Sequence, residues 1–90
     1  MHEVGIAASV IDAVRAQVAK NPGKRATAVG VRIGALAGVD GESLQFGFDA
    51  IVRDSDVEPL RLVVEQAEAD ELDLIWLEVE DIVEGIVEDL

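Results

Sequence analysis

The chain has 90 residues, half of them hydrophobic, and its only aromatic residues are Phe46, Phe48 and Trp76, which predicts one small domain with an aliphatic core. Its formal net charge of −12 opposes binding to nucleic acid or an anionic membrane, and it favours solubility or a basic protein partner. Without cysteine there is no disulfide, thiolate nucleophile or cysteine-ligated zinc, which fits a cytoplasmic chain. No apolar run approaches the roughly 20 residues of a membrane-spanning helix, and no signal peptide is expected, so the first residues should remain in the mature protein.

The first element predicted is a helix from Val4 to Lys20, which should end where proline and glycine occur at Asn21–Gly23. Its apolar residues recur with a period of 3.6 and form one face: Ile6, Ala7, Val10, Ile11, Val14 and Val18. Alternation from Ala26 to Ile33 predicts a strand, with Thr27 on the same face as Val29, Val31 and Ile33. The glycines of Gly34–Gly38 do not have phosphate-binding spacing, so they indicate a loop.

A second helix is predicted from Gly41 to about Asp54, with Asp40 as its N-cap and Glu42 in its first turn. One face of this helix is apolar and contains Leu44, Phe48, Ile51 and Val52. Phe46 lies about 200° around the helix from Phe48 and is therefore expected to point away from that face.

Two strands follow, one opened by Pro59 and one from Leu72 to Val79, joined by a turn at Ala67–Glu71. The consecutive apolar residues Leu74 to Leu77 are typical of a strand covered on both faces. We therefore predict an α+β fold in which two helices pack on one face of a three-stranded mixed sheet, in the order α-β-α-β-β. The amphipathic segment 82–90 is either a frayed acidic tail or a cover for the other face, supplied by this chain or by a dimer mate.

Several stretches in this order resemble the HypA/HybF family of nickel-insertion accessory proteins for hydrogenase. They are "MHE" with "IA" and Ser9 at the start, "VRIGALAGVD", "ESLQFGFD", "LRLVVE" and "DELDLIWLEVED". The resemblance covers at least residues 1–81, which we take as the HypA-like nickel-binding domain, followed by the tail 82–90. Family members carry two CxxC pairs that hold zinc between the last two strands, whereas this chain has only a few residues near 66–71. The module was either lost naturally or removed by engineering, and no zinc is expected.

The resemblance implies a Ni(II) site at Met1, His2 and Glu3. The α-amine of Met1, the amide and imidazole nitrogens of His2 and the amide nitrogen of Glu3 suit a planar ion such as Ni(II) or Cu(II). The Glu3 carboxylate is either a group that supports the ligands or the first acidic residue of the helix. Binding should weaken as the pH falls through about 6.5, because the donors must lose protons.

The function that the resemblance implies is non-enzymatic nickel delivery, with a nickel-handling GTPase and the hydrogenase large-subunit precursor as partners. The alternative is a metal-free protein-interaction module that kept the scaffold. An enzyme ranks third, because the only histidine lies at the chain start and no cysteine is present, while Asp70, Glu71 and Asp73 are typical of surface charge. Monomer and homodimer both remain open.

Overall fold

A computed structural model of the chain describes residues 3–82, and all structural statements below refer to that part. The elements are, in chain order, α1 (Glu3–Ala19), β1 (Lys24–Gly34), α2 (Gly41–Val52), β2 (Arg61–Ala67) and β3 (Leu72–Asp81). The predicted α+β fold with the order α-β-α-β-β is confirmed. The segment 82–90, predicted as either a frayed tail or a cover for the sheet, lies outside the described residues except for Ile82.

Side chains close by in the sequence cap the end of α1 and the beginning of α2. α1 stops where the side-chain amide of Asn21 donates to the Gln17 carbonyl at 2.8 Å and so satisfies one of the last free acceptors of the helix. α2 begins after Asp40, whose carboxylate accepts from the Glu42 N–H at 3.1 Å, which is the geometry of an N-cap. The predicted N-cap is therefore confirmed.

The sheet has the strand order β2-β1-β3, with β1 in the centre. β2 runs parallel to β1 and pairs Val29 with Leu62, whereas β3 runs antiparallel to β1 and pairs Val29 with Leu77. Because β2 and β3 lie on opposite sides of β1, the short connection between them must cross the end of the central strand.

A single aliphatic core fills the space between the helices and the sheet. Leu44 and Phe48 of α2 are fully buried, and the predicted apolar faces of both helices are the faces that pack inward. The buried members of this core are Ala7, Ile11, Val14, Ala26, Val29, Val31, Ile33, Leu44, Phe48, Val52, Leu60 and Leu62. This arrangement fixes both helices against the sheet and leaves their amino-terminal ends at the surface.

The position of Thr27 differs from the prediction. The register between β1 and β3 shifts between Ala26 and Ala28, so Thr27 is an extra residue in a β-bulge. Ala26 joins the core in its place, and the Thr27 hydroxyl lies 2.8 Å from the Glu78 carboxylate. The bulge reverses the alternation that the sequence suggested for the beginning of this strand.

Polar contacts and one tryptophan occupy the face of the sheet that points away from the helices. Trp76 of β3 lies across Gly30, and its Nε1 donates to the Glu65 carboxylate of β2 at 3.2 Å. Glu65 also pairs with Arg32, and Arg61 pairs with Glu78 at 3.4 Å. Within residues 3–82 the apolar run of β3 is not covered on both faces, since Trp76 remains 37% exposed.

The turn between β2 and β3 is held against the loop that follows β1. The N–H groups of Gly34, Ala35 and Leu36 donate to the carbonyls of Glu71, Ala67 and Ala69 at 2.8, 3.0 and 2.8 Å. A Cβ atom on Gly34 would lie 2.1 Å from the Ala69 carbonyl oxygen, so only glycine fits there. This turn is the position at which the sequence resemblance placed the missing zinc module.

Candidate metal site

The predicted metal site falls at the edge of the described structure. Met1 and His2 lie outside the described residues, and Glu3 is the first residue of α1. The structure therefore locates the last member of the tripeptide and the surface beside it.

The side chain of Glu3 links the beginnings of the two helices. Its Oε2 accepts a hydrogen bond from the Asp40 N–H at 3.0 Å, and this bond is the main reason that the pKa of Glu3 lies below its ordinary value of 4.5. Asp40 in turn caps α2 and accepts from the Ser43 hydroxyl at 3.0 Å. Glu3 thus joins the start of the chain to the N-cap of the second helix.

Close packing of α1 against α2 reinforces this link. A Cβ atom on Gly47 would lie 3.3 Å from Val4 Cγ2, so the absence of a side chain at position 47 allows α1 to begin close to α2. A shallow surface cavity of about 650 Å³ lies beside this contact, lined by both helices. The residue that follows the tripeptide is consequently held by the scaffold.

These contacts bear on how Glu3 would take part in metal binding. Its carboxylate accepts a hydrogen bond from the N-cap residue of α2, so this side chain holds the start of α1 to the start of α2. The backbone nitrogen of Glu3 belongs to the first turn of α1, where N–H groups have no carbonyl partner within the helix. This N–H also hydrogen-bonds the carboxylate of Glu3 itself, which is a second cause of the lowered pKa of Glu3.

The described residues offer no competing metal site. Among residues 3–82, no group of three His, Cys, Asp or Glu side chains converges as a metal site would require. Glu71, one of the turn carboxylates considered from the sequence, accepts from the Ala69 N–H at 3.0 Å and so stabilises the turn.

Within residues 3–82, no helix is long and apolar enough to cross a membrane.

Sequence reasoning missed two features of this region. It identified Asp40 as a cap but not as the partner of Glu3, which is 37 positions away. It also missed the contact between Val4 and Gly47. A glycine inside a helical pattern can indicate close packing against another element, and Gly47 was that signal.

Two comparisons with known proteins identify the family of this chain. A family described as "Hydrogenase/urease nickel incorporation, metallochaperone, hypA" matches residues 1–71. A protein named hydrogenase maturation factor HypA from Chlorobaculum parvum is 42% identical over 69 residues, which are 77% of this chain and 61% of that protein. The Escherichia coli protein of the same name is 37% identical over 70 residues, which are 78% of this chain and 60% of that protein. No solved structure matches the chain.

The chain forms a small α+β domain, and the family model that it matches describes nickel-incorporation metallochaperones. The chain belongs to the HypA family, whose model matches residues 1–71. It spans about 60% of the length of the curated relatives described above.

Proposed function

We propose that the chain is a non-enzymatic nickel-binding accessory protein for the maturation of hydrogenase. The observation that carries this proposal is membership of the HypA family through a match that begins at residue 1 and therefore includes Met1, His2 and Glu3. The curated relatives are named hydrogenase maturation factors. In this proposal residues 1–81 form the nickel-binding domain and residues 82–90 form a separate tail.

Four nitrogens form the proposed ligand set. The α-amine of Met1, the amide and imidazole nitrogens of His2 and the amide nitrogen of Glu3 close fused chelate rings in one plane, which suits Ni(II). The hydrogen bond from Asp40 to Glu3 supports this arrangement, because it fixes the carboxyl-terminal end of the chelate to the fold. A fixed end reduces the conformational entropy that the ligands lose when they close around the ion.

The partners that we propose are a nickel-handling GTPase and the hydrogenase large-subunit precursor, with delivery in the cytoplasm. The chain has no cysteine, so a thiolate zinc site like that implied by the family resemblance cannot form near residues 66–71. We propose that this chain performs nickel binding and transfer without a zinc-dependent step.

A titration with Ni(II) tests the proposal. Calorimetry at pH 7.5 would compare the chain carrying a free α-amine, its N-acetylated form and the His2→Ala variant. We expect one tight site in the first sample and loss of tight binding in the other two, because each change removes one of the planar donors. Affinity should also fall as the pH is lowered through about 6.5, where the imidazole gains its proton.

The alternative function gives a different result in the same titration. A metal-free interaction module would show no tight Ni(II) binding in any of the three samples. Equal tight binding in all three would place the metal at other residues and would also contradict the proposed ligand set.

A further inference from the structure

An apolar surface lies directly beside Glu3, the last residue of the tripeptide. It consists of the exposed residues Val4 on α1 and Phe46 and Ala50 on α2, together with Ile51, which is half-buried against the core. These residues line the cavity between the two helix starts and are called the Phe46 surface below. Val4 is 61% exposed and Phe46 is 78% exposed. The core of the domain does not use Phe46, because α2 directs Leu44 and Phe48 inward instead.

Among residues 3–82, the ionisable side chains that border this surface all carry negative charge. Glu3, Asp40 and Glu42 line the cavity together with the Phe46 surface, and no lysine or arginine of the described part of the chain lines it. The chain as a whole carries a formal charge of −12. An apolar patch with an acidic border is complementary to an apolar pocket bordered by lysine or arginine.

The location of the surface gives it a role in metal exchange. Glu3 and Val4 are neighbours in the sequence and both line the cavity, so an ion bound at the proposed Glu3 amide nitrogen would be held next to the Phe46 surface. When a metal passes between two proteins, both ligand sets must reach the same ion, and the surfaces around the two sites then come into contact. A second copy of this chain fits poorly here, because it would bring two acidic borders together.

We propose that the Phe46 surface is the docking face for the protein that accepts nickel from the tripeptide, and that this acceptor presents an apolar pocket bordered by basic residues. This inference rests on the proposed nickel function. In it, Phe46 provides docking affinity and the tripeptide provides metal affinity, so the two properties are separable by mutation.

The test measures nickel transfer from the loaded chain to two metal-free acceptors, the nickel-handling GTPase and the hydrogenase large-subunit precursor, with EDTA as an acceptor that needs no docking. Phe46→Ser is compared with the wild type and with Leu36→Ser, which alters an equally exposed apolar residue in the loop after β1. We expect Phe46→Ser to slow transfer to at least one protein acceptor by about tenfold or more, as truncation of a central aromatic contact does. Phe46→Ser should transfer nickel to EDTA at the wild-type rate and should bind nickel with the wild-type affinity. Leu36→Ser should match the wild type in all of these measurements.

Two further measurements separate this inference from the proposed function. Glu42→Gln should weaken docking and make it less sensitive to salt, because it removes one charge of the acidic border. Binding of the metal-free chain to the same acceptors reports on docking even if nickel binding fails. If the wild type binds an acceptor but no nickel, and Phe46→Ser weakens that binding, the docking face stands and the nickel function is wrong. If Phe46→Ser transfers nickel to both protein acceptors as fast as the wild type, the docking face is wrong.

Discussion

The carboxylate of Glu3 accepts a hydrogen bond from the backbone N–H of Asp40 at 3.0 Å, although the two residues are 37 positions apart. Asp40 is the N-cap of α2, so this bond connects the beginning of α1 to the beginning of α2. The residue next to the only histidine of the chain is therefore anchored to the fold by its own side chain.

The bond between Glu3 and Asp40 makes stability depend on pH. Because the folded pKa of Glu3 is lowered, its contribution is present above the ordinary value of 4.5 and is lost as the pH falls through the lowered pKa. We expect Glu3→Gln to be less stable than the wild type at pH 6 and to approach it under strongly acidic conditions. Urea unfolding at both pH values measures the difference, and a constant difference would contradict this role for the charge.

Gly34 and Gly41 should respond very differently to substitution by alanine. A Cβ on Gly34 would meet the Ala69 carbonyl oxygen, a backbone atom that no rotamer change can move away, whereas a Cβ on Gly41 has no atom within 4 Å. Gly34→Ala should therefore destabilise the fold by about 1–3 kcal/mol or more. Gly41→Ala is the matched control and should change the free energy of unfolding very little. Equal urea midpoints for the two variants would show that the turn after β2 does not pack as described.

Arg15 and Asp56 connect α1 to the loop after α2. Arg15 Nη2 donates to one oxygen of Asp56 at 2.6 Å and Nε donates to the other at 3.2 Å, and these bonds hold the pKa of Asp56 below its ordinary value of 3.8. Arg15→Gln should raise the pKa of Asp56 towards 3.8, as followed by the carboxyl carbon signal in an NMR titration. Lys20→Gln removes one charge near the end of the same helix and should leave Asp56 unchanged. An unaltered Asp56 titration in Arg15→Gln would contradict the pairing.

Phe46 and Phe48 form a natural pair for testing the orientation of α2. Phe48 is fully buried, and Phe46 is 78% exposed. We expect Phe48→Ala to cost about 3–5 kcal/mol through the cavity it leaves, and Phe46→Ala to change stability by less than about 0.5 kcal/mol. A large loss in Phe46→Ala would mean that the exposed phenylalanine supports the fold, and it would remove the basis for a docking surface.

Local patterns predicted the helices and the order of elements correctly. The spacing of Leu44, Phe48 and Val52 identified the buried face of α2, because helical periodicity repeats every few residues and needs no knowledge of distant parts of the chain. The cap at Asp40 was found for the same reason.

Long-range contacts explain what the sequence did not predict. Thr27 was assigned to the wrong face because a bulge depends on how β1 pairs with β3, which strict alternation does not reveal. The sequence also did not reveal that Trp76 crosses Gly30 to reach Glu65. The predicted cover of the apolar run in β3, the segment 82–90, lies outside the described residues except for Ile82. At the candidate site, the resemblance supplied the tripeptide, whereas the link between Glu3 and Asp40 depends on the folded arrangement of two helices.

The most direct test of the central claim is a two-dimensional ¹H–¹⁵N NMR spectrum of the chain with a free α-amine, before and after one equivalent of Ni(II). A planar set of nitrogen donors makes Ni(II) diamagnetic and removes the proton from each coordinating amide. We therefore predict that the amide signals of His2 and Glu3 disappear while the signals of residues in the sheet stay sharp and unshifted. Retention of the His2 and Glu3 amide signals, or broadening that centres on residues elsewhere in the chain, would contradict the account.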